Sequence, residues 1–231
     1  MGTAPGLHEK IADLIRQEKK SRLLDIPAGQ GELALRADEM GMDVTAADID
    51  ESYFRYPLIK FQKADLNGSL PFKDGSFDIV TCIEGAEHLE NIYHLFRELA
   101  RVLKKNGVLI MSTPNILSVF SRVRFLLTGQ FDFFGGYYAD ESRLYTCHIN
   151  PVYFPLLKLA LKRAGLEIEV ITSNRDIVKA GNPFLKLFLR GICFLSRKIT
   201  FLRIKDKTLA EQITSEAVLR GEILILKCRR R

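Results

Sequence analysis

The chain has few cysteines, and none lie in a C-x-x-C pair. Cys82, Cys147, Cys193 and Cys228 are scattered, which argues against a disulfide framework or a zinc knuckle and for reduced thiols. No apolar run is long enough to span a bilayer. The opening stretch MGTAPGLHEKIADLIRQEKK lacks an apolar core and turns charged early, unlike a secretory leader. Internal repeats and low-complexity tracts are also missing. These absences lead us to expect a cytoplasmic protein. Its 231 residues suffice for one domain, 1–231, with an elaboration.

Acidic residues are scarce in one half only. Residues 1–115 hold 14 Lys and Arg against 18 Asp and Glu, whereas 116–231 hold 20 against 10. The carboxyl half is therefore strongly basic, which suits an anionic partner: a phosphate-bearing substrate, a membrane surface or nucleic acid. Cations that merely keep the surface solvated are the plainer account.

The apolar pattern alternates between strand and helix. A helix is expected over Leu7–Lys20, a buried strand over Arg22–Ile26, a helix over Glu32–Met40 and a strand over Val44–Ala47. LIKFQKADL reads as a weaker third strand, GSLPFKDGS as a loop and FDIVTC as a fourth strand. Leu89, Ile92, Phe96, Leu99 and Leu103 repeat at helical spacing, and Lys104-Lys105-Asn106-Gly107 is expected to end that helix before the strand VLIMS. Pro151–Ala164 reads as a helix, Glu167–Thr172 as a strand and EILILKC as the last strand. Such alternation predicts an α/β, doubly wound, mostly parallel sheet, with ligands beyond the carboxyl ends of its strands.

The residues just after those strands carry chemistry. In LLDIPAGQGELA, Gly29-x-Gly31-x-x-Ala34 fits a dinucleotide fingerprint, yet Asp25 stands where a pyrophosphate would be repelled. Asp48, about twenty residues after the glycines, is placed to bond ribose hydroxyls, and Asp65-Leu66 to meet an adenine edge. A ligand with ribose and adenine, but an ammonium in place of the pyrophosphate, fits this set. S-adenosylmethionine is that molecule; a nicotinamide dehydrogenase, the rival for the glycines, would have no use for Asp25.

Four segments in order, LLDIPAGQGELA, VTAADID, ADLNGSLPFKDGSFDIVTCIEGAEHLEN and LKKNGVLIMSTPN, resemble the successive motifs of class I S-adenosylmethionine-dependent methyltransferases over roughly residues 20–172. The resemblance implies a Rossmann-like methyltransferase fold with seven strands, the last antiparallel. It implies a cofactor-binding half at 20–115, an acceptor-side insertion at 116–150 and a basic amphipathic extension at 175–220. Asp25, Ala28, Gly29, Gly31, Asp48, Ile49, Asp65, Leu66 and Glu84 are then the cofactor residues. The family usually has glycine where this chain has Pro27. Proline fixes its own backbone angle and pushes Ile26 toward extended geometry, which suits a strand end.

Glu84-Gly85-Ala86-Glu87-His88 is the candidate catalytic segment. If a helix has begun there, positions i, i+3 and i+4 share a face, and two carboxylates and an imidazole point into the cleft. His88, with Glu87, is the expected base or acceptor-positioner. The E-x-x-E-H pattern is similar to that of the ubiquinone-biosynthesis O-methyltransferases and the small-RNA 2′-O-methyltransferases, where it implies a divalent metal. On that reading Glu84, Glu87, His88 and His148 are the ligands, a set suiting manganese, iron or zinc better than magnesium. Many relatives carry the pattern without a metal, and that is the favoured reading. His94 is expected to be a solvated surface residue.

The acceptor pocket is expected after Asn115, where Phe120, Phe125, Phe131, Phe133, Phe134, Tyr137 and Tyr138 are interspersed with Arg122 and Arg124 around a Gly135-Gly136 hinge. A packed helix with a mobile aromatic lid is the alternative. In NPFLKLFLRGICFLSRKITFLR, Leu185, Phe188, Ile192, Leu195, Ile199 and Leu202 share a stripe and Lys186, Arg190 and Arg197 group opposite, with no acid between Pro183 and Arg203. Such a helix suits peripheral contact with the inner membrane surface through 183–203; packing on its own domain or a dimer contact competes. The carboxyl half resembles bacterial methyltransferases acting on surface polysaccharides and lipids. A sugar- or lipid-linked hydroxyl is the first-choice acceptor, a quinone-like phenol the second and RNA the third. A relative that binds the cofactor without turnover is the remaining alternative, and the oligomeric state is left open.

Overall fold

A computed structural model describes residues 4–19, 21–134, 147–180 and 182–231. The expected hinge at Gly135-Gly136 and the residues Tyr137 and Tyr138 lie outside them.

Helix α1 (Leu7–Arg16) precedes strand β1 (Arg22–Asp25), helix α2 (Glu32–Glu39) and strand β2 (Asp43–Asp48). Strands β3 (Lys60–Lys63) and β4 (Phe77–Ile83) follow, then helix α3 (Ile92–Val102) and strand β5 (Leu103–Pro114). Helices α4 (Val119–Thr128) and α5 (Phe154–Arg163) lead to strand β6 (Leu166–Ser173). Three helices, α6 (Pro183–Arg203), α7 (Lys207–Ile213) and α8 (Glu216–Arg220), precede strand β7 (Ile223–Arg230).

The seven strands form one sheet in the order β3-β2-β1-β4-β5-β7-β6. β1 pairs parallel with β2 and β4, and β2 with β3 and β4 with β5 likewise. β7 runs antiparallel to both its neighbours, β5 and β6. The doubly wound Rossmann-like α/β architecture is therefore the one the sequence implied. Helices cover both faces because the central strands are apolar on both sides. Leu24, Val80, Leu109 and Leu226 face a core that includes Phe96, Leu99, Phe154 and Leu157 of α3 and α5. Leu23, Ile79, Ile110 and Ile225 face a second core holding Leu7, Ile11, Leu33 and Ala37 of α1 and α2.

Three boundaries differ from expectation. The Glu84–His88 segment is not the start of α3. Glu84 takes a positive φ of 49°, residues Ala86–His88 make one 3-10 turn, and α3 starts after Asn91, whose side chain accepts from the His94 amide. At the other end, α3 stops at Val102, and Lys104-Lys105-Asn106-Gly107 lies inside β5 rather than capping a helix. Phe77 pairs with Leu103 but Ile79 with Val108, so the extra residues bulge from the strand, with Asn106 at φ 62°.

Helix α6 buries a face other than the apolar stripe. Leu189 and Cys193 are the side chains it buries, in a small cluster with Val119, Val178 and Leu219. The expected stripe turns outward: Leu185, Phe188, Leu195, Ile199 and Leu202 are exposed, and Ile192 is partly covered. Packing of that stripe on its own domain is thus corrected. Among the described residues, no helix is long and apolar enough to cross a membrane.

Candidate functional site

The turn after β1 is held between two strands. The Ala28 amide donates to the Ala47 carbonyl at 2.9 Å, and the Gly31 amide to the Ala28 carbonyl at 2.9 Å. Gly29 and Gly31 have φ of 52° and 92°, left-handed values that L side chains rarely adopt. Space is also short at Gly31, where an added Cβ would lie 2.5 Å from Phe54 Cε2 and 2.8 Å from Tyr56 Cδ2. The aromatic pair therefore wraps the glycine turn from the β2–β3 connection. Nothing in a dinucleotide-type pattern announces it.

Asp48 closes the turn from the end of β2. Its Oδ2 accepts from the Gly29 amide at 2.8 Å and its Oδ1 from the Ile49 amide at 2.7 Å. Oδ1 also receives the Asp50 amide at 3.4 Å, so Oδ2 is the oxygen that keeps a lone pair for a ribose hydroxyl. Asp25 lies differently from the open carboxylate expected at a strand end. It is 2% exposed, beneath the turn, and its Oδ1 accepts from the Thr81 hydroxyl at 2.6 Å. Burial pushes its carboxyl up to about 7; the Thr81 hydrogen bond opposes that rise and the nearby Asp48 adds to it. Thr81, a polar residue inside an apolar strand, is the signal that could have located this partnership.

Asp65 is exposed and accepts from the Asn67 amide at 2.8 Å, whereas the Leu66 side chain turns into the core. Asp65 and Leu66 therefore face opposite ways, and only the former is open to a ligand.

The turn after β4 carries the remaining candidates. Gly85 is required there, since a Cβ would lie 2.8 Å from the Pro27 ring. The two turns, after β1 and after β4, thus touch. Glu84 is half-buried, and its amide donates to Ser112 Oγ at 3.1 Å. Burial, and then Glu222, raise its carboxyl above the ordinary range. Glu87 is fully buried. Its Oε2 accepts from the Thr113 hydroxyl at 3.1 Å, and its Oε1 has no hydrogen-bond partner. Burial pushes this carboxyl up to about 8, with Glu84 contributing. The Glu87 carbonyl accepts from both the Ile149 and Asn150 amides at 2.9 Å, which ties the HINP segment to the site.

That tie brings two histidines together. The His88 and His148 rings are 4.8 Å apart, edge to face. His88 Nδ1 lies 2.9 Å from the Cys147 carbonyl and His148 Nδ1 lies 3.0 Å from the Phe133 carbonyl. A carbonyl only accepts, so each Nδ1 carries the hydrogen and each Nε2 keeps its lone pair. Burial lowers both imidazole pKa values, opposed by those carbonyls, and His88 lowers His148 further. Both rings are therefore neutral near pH 7. Donor atoms of Glu87, His88 and His148 lie within 4.8 Å of one another. Glu84 lies outside this group, because the left-handed turn removes it from the helical face the spacing suggested. His94 is not a free surface residue either: its Nε2 lies 2.9 Å from the Gly68 carbonyl and links α3 to the loop after β3.

A doubly wound sheet whose last strand is antiparallel, with a glycine turn at the carboxyl ends of its strands, is a Rossmann-like α/β fold shared with solved methyltransferase structures. Residues 24–111 match the family described as methyltransferase domain. The chain is 32% identical over 116 residues to 27-O-demethylrifamycin SV methyltransferase of Amycolatopsis mediterranei, a match covering 46% of this chain and 43% of that protein. It is 32% identical over 114 residues to ubiquinone biosynthesis O-methyltransferase of Rickettsia typhi, covering 46% of each. The chain spans about half the length of the curated relatives it matches. A putative methyltransferase from Bacillus halodurans shares the fold with a TM-score of 0.59 at 23% identity, over 97% of this chain and 98% of that one. Residues 24–111 are thus similar to the methyltransferase domain, and the matched segments resemble those of S-adenosylmethionine-dependent methyltransferases.

Proposed function

We propose that the chain transfers a methyl group from S-adenosylmethionine to a hydroxyl of a small, sugar- or lipid-linked acceptor. The cofactor fits the chemistry of the site. Asp48, Asp65 and Glu84 stand at or just after the carboxyl ends of β2, β3 and β4, and such carboxylates favour a cationic amino acid and sulfonium and would repel a pyrophosphate. When bound, S-adenosylmethionine supplies a methyl group already activated by its sulfonium. Asp48 and the Gly29–Gly31 turn hold the nucleoside end, with Ala28 and Ile49 on either side. Asp25, buried and bonded to Thr81, supports the turn from below.

The observation that carries the proposal is His88. It is neutral, its tautomer is set by the Cys147 carbonyl, and Nε2 is left to accept a proton. His88 Nε2 would take up the proton that the acceptor hydroxyl gives up on methylation. Phe134 packs 5.3 Å from His148 and helps keep water from that face. Both relatives named above are O-methylating by name, which supports a hydroxyl acceptor. A quinone-like phenol is the second choice and an RNA 2′-hydroxyl the third.

The test is calorimetric titration with S-adenosylmethionine and, separately, NAD, followed by transfer of labelled methyl to glycolipid and quinol acceptors. Only the first ligand should bind. His88→Gln should keep that affinity and lose transfer by about 10²–10⁴-fold. Binding of NAD, or transfer unchanged in His88→Gln, would overturn the reading.

A second reading rests on the partnerless Glu87 Oε1. Glu87, His88 and His148 each offer one ligand atom within 4.8 Å of the others, and both imidazoles are oriented by a backbone carbonyl, as metal-binding histidines commonly are. A divalent transition metal held by Glu87, His88 and His148 would lower the pKa of the acceptor hydroxyl. Metal analysis of the purified protein, and transfer assayed with and without a chelator, separate the two readings.

A further inference from the structure

Helix α6 exposes an apolar side. Phe184, Leu187, Phe188, Phe194, Leu195 and Leu202 fall on one side of its cylinder at 100° per residue, and each is between 57% and 86% exposed. Phe184, Leu187, Phe188 and Leu195 also line a shallow groove with Gly191 and Ile192. The inward side is already occupied. Leu189 and Cys193 pack in the small cluster, Arg197 Nε donates to the Thr214 carbonyl at 3.0 Å, and Arg122 of α4 hydrogen-bonds Ser196. The helix is thus fixed to the domain by one side and presents the other.

The charge on α6 and α4 is of one sign. Lys186, Arg190, Arg197, Lys198 and Arg203 lie on α6, and neither α6 nor the adjoining α4 contains an acidic residue. The Lys198 ammonium lies over the Phe194 ring, 5.6 Å from its centroid, so a cation sits on the apolar surface itself. A second copy of the chain would bring basic rim against basic rim, whereas anionic headgroups complement it. Leu126 and Leu127 at the end of α4 are also exposed, and α4 leaves the carboxyl end of β5, the end of the sheet where the candidate site lies.

We propose that α6 docks on the surface of an anionic lipid bilayer, its apolar side in the interface and its cations against the headgroups. The helix lies in the plane of the membrane and does not cross it. This inference is independent of methyl transfer.

Co-flotation of the full chain with vesicles tests it, using phosphatidylcholine alone and phosphatidylcholine with about one third phosphatidylglycerol. The chain should float with the anionic vesicles and be released by raising salt, since the headgroup attraction is screened. Leu187→Glu with Leu195→Glu should lower partitioning by at least tenfold at unchanged melting temperature. Arg190→Gln with Lys198→Gln should abolish the preference for anionic over neutral vesicles. Absence of flotation with either vesicle, or full flotation of the Leu187→Glu/Leu195→Glu variant, overturns the proposal. So does a dimer in sedimentation that this variant dissolves while the wild type ignores vesicles; that result would assign the face to self-association.

Discussion

Replacing Asp48 with alanine separates the architecture of the glycine turn from its use. The carboxylate receives backbone amides from Gly29 at 2.8 Å, Ile49 at 2.7 Å and, more weakly, Asp50 at 3.4 Å, and in the proposed complex it also receives a ribose hydroxyl. Hydrogen bonds to a charged acceptor are worth about 1.5–3 kcal/mol each. Losing the ribose contact alone should therefore weaken S-adenosylmethionine binding by about 1.5–3 kcal/mol, roughly tenfold or more. Releasing these amides, which stay near solvent, should cost the free protein only about 1–2 kcal/mol of stability. Asp48→Asn keeps one acceptor oxygen and should fall between wild type and alanine in both respects. Calorimetry gives the affinities, and denaturant unfolding gives the stabilities. An affinity in Asp48→Ala within about threefold of wild type would refute the assignment of the ribose to this carboxylate, whatever happened to stability.

Two further outcomes follow from particular contacts. Gly31→Ala forces a side chain onto φ 92° and against Phe54, and should destabilise by about 2–4 kcal/mol. In a Phe54→Ala background the increment should shrink toward the roughly 1–2 kcal/mol of the backbone term alone, and equal increments in urea unfolding would show that no clash exists. Asp25 is held at about 7 when folded, against an ordinary value near 4, so its neutral burial stabilises fully below pH 4 and that contribution is lost as pH rises through 7. The loss has an upper limit on the order of 4 kcal/mol. Asp25→Asn should therefore show a flatter decline in unfolding free energy between pH 5 and pH 8 than wild type, though Glu87 keeps part of the slope; parallel curves would contradict the buried-acid account.

The sheet was largely legible because its central strands are short apolar runs punctuated by turn residues, and because the acids that matter stand at their ends. The errors have local causes. Lys104-Lys105-Asn106-Gly107 has the composition of a helix end, but the same left-handed tolerance serves a bulge, and only the pairing of Phe77 with Leu103 decides between them. The spacing of Glu84, Glu87 and His88 suggested one helical face, whereas Asn91, a good amino-terminal cap, already marked the later start of α3. The meeting of His88 with His148 depends on the Glu87 carbonyl receiving two amides from a segment some sixty residues away, which no local pattern encodes. On α6 the apolar stripe was visible in sequence, but which side would be covered depended on Leu189 and Cys193 finding α4 and α8.

The position of β7 sets an order of assembly. Among the described residues β6 pairs only with β7, and β7 is inserted between β6 and β5, so a strand ending at Ser173 waits for one starting at Ile223. On a ribosome, β1 to β5 and the turns of the cofactor half can pair first, since each of these strands finds its neighbour among those already made. Helix α6 emerges before α8, which supplies Leu219 to its cluster, and before β7, which closes the sheet. A nascent chain therefore passes through an interval in which the cofactor half is assembled while the most apolar helix is still unanchored. A bilayer or a chaperone encountering the protein then meets α6 with both its sides open.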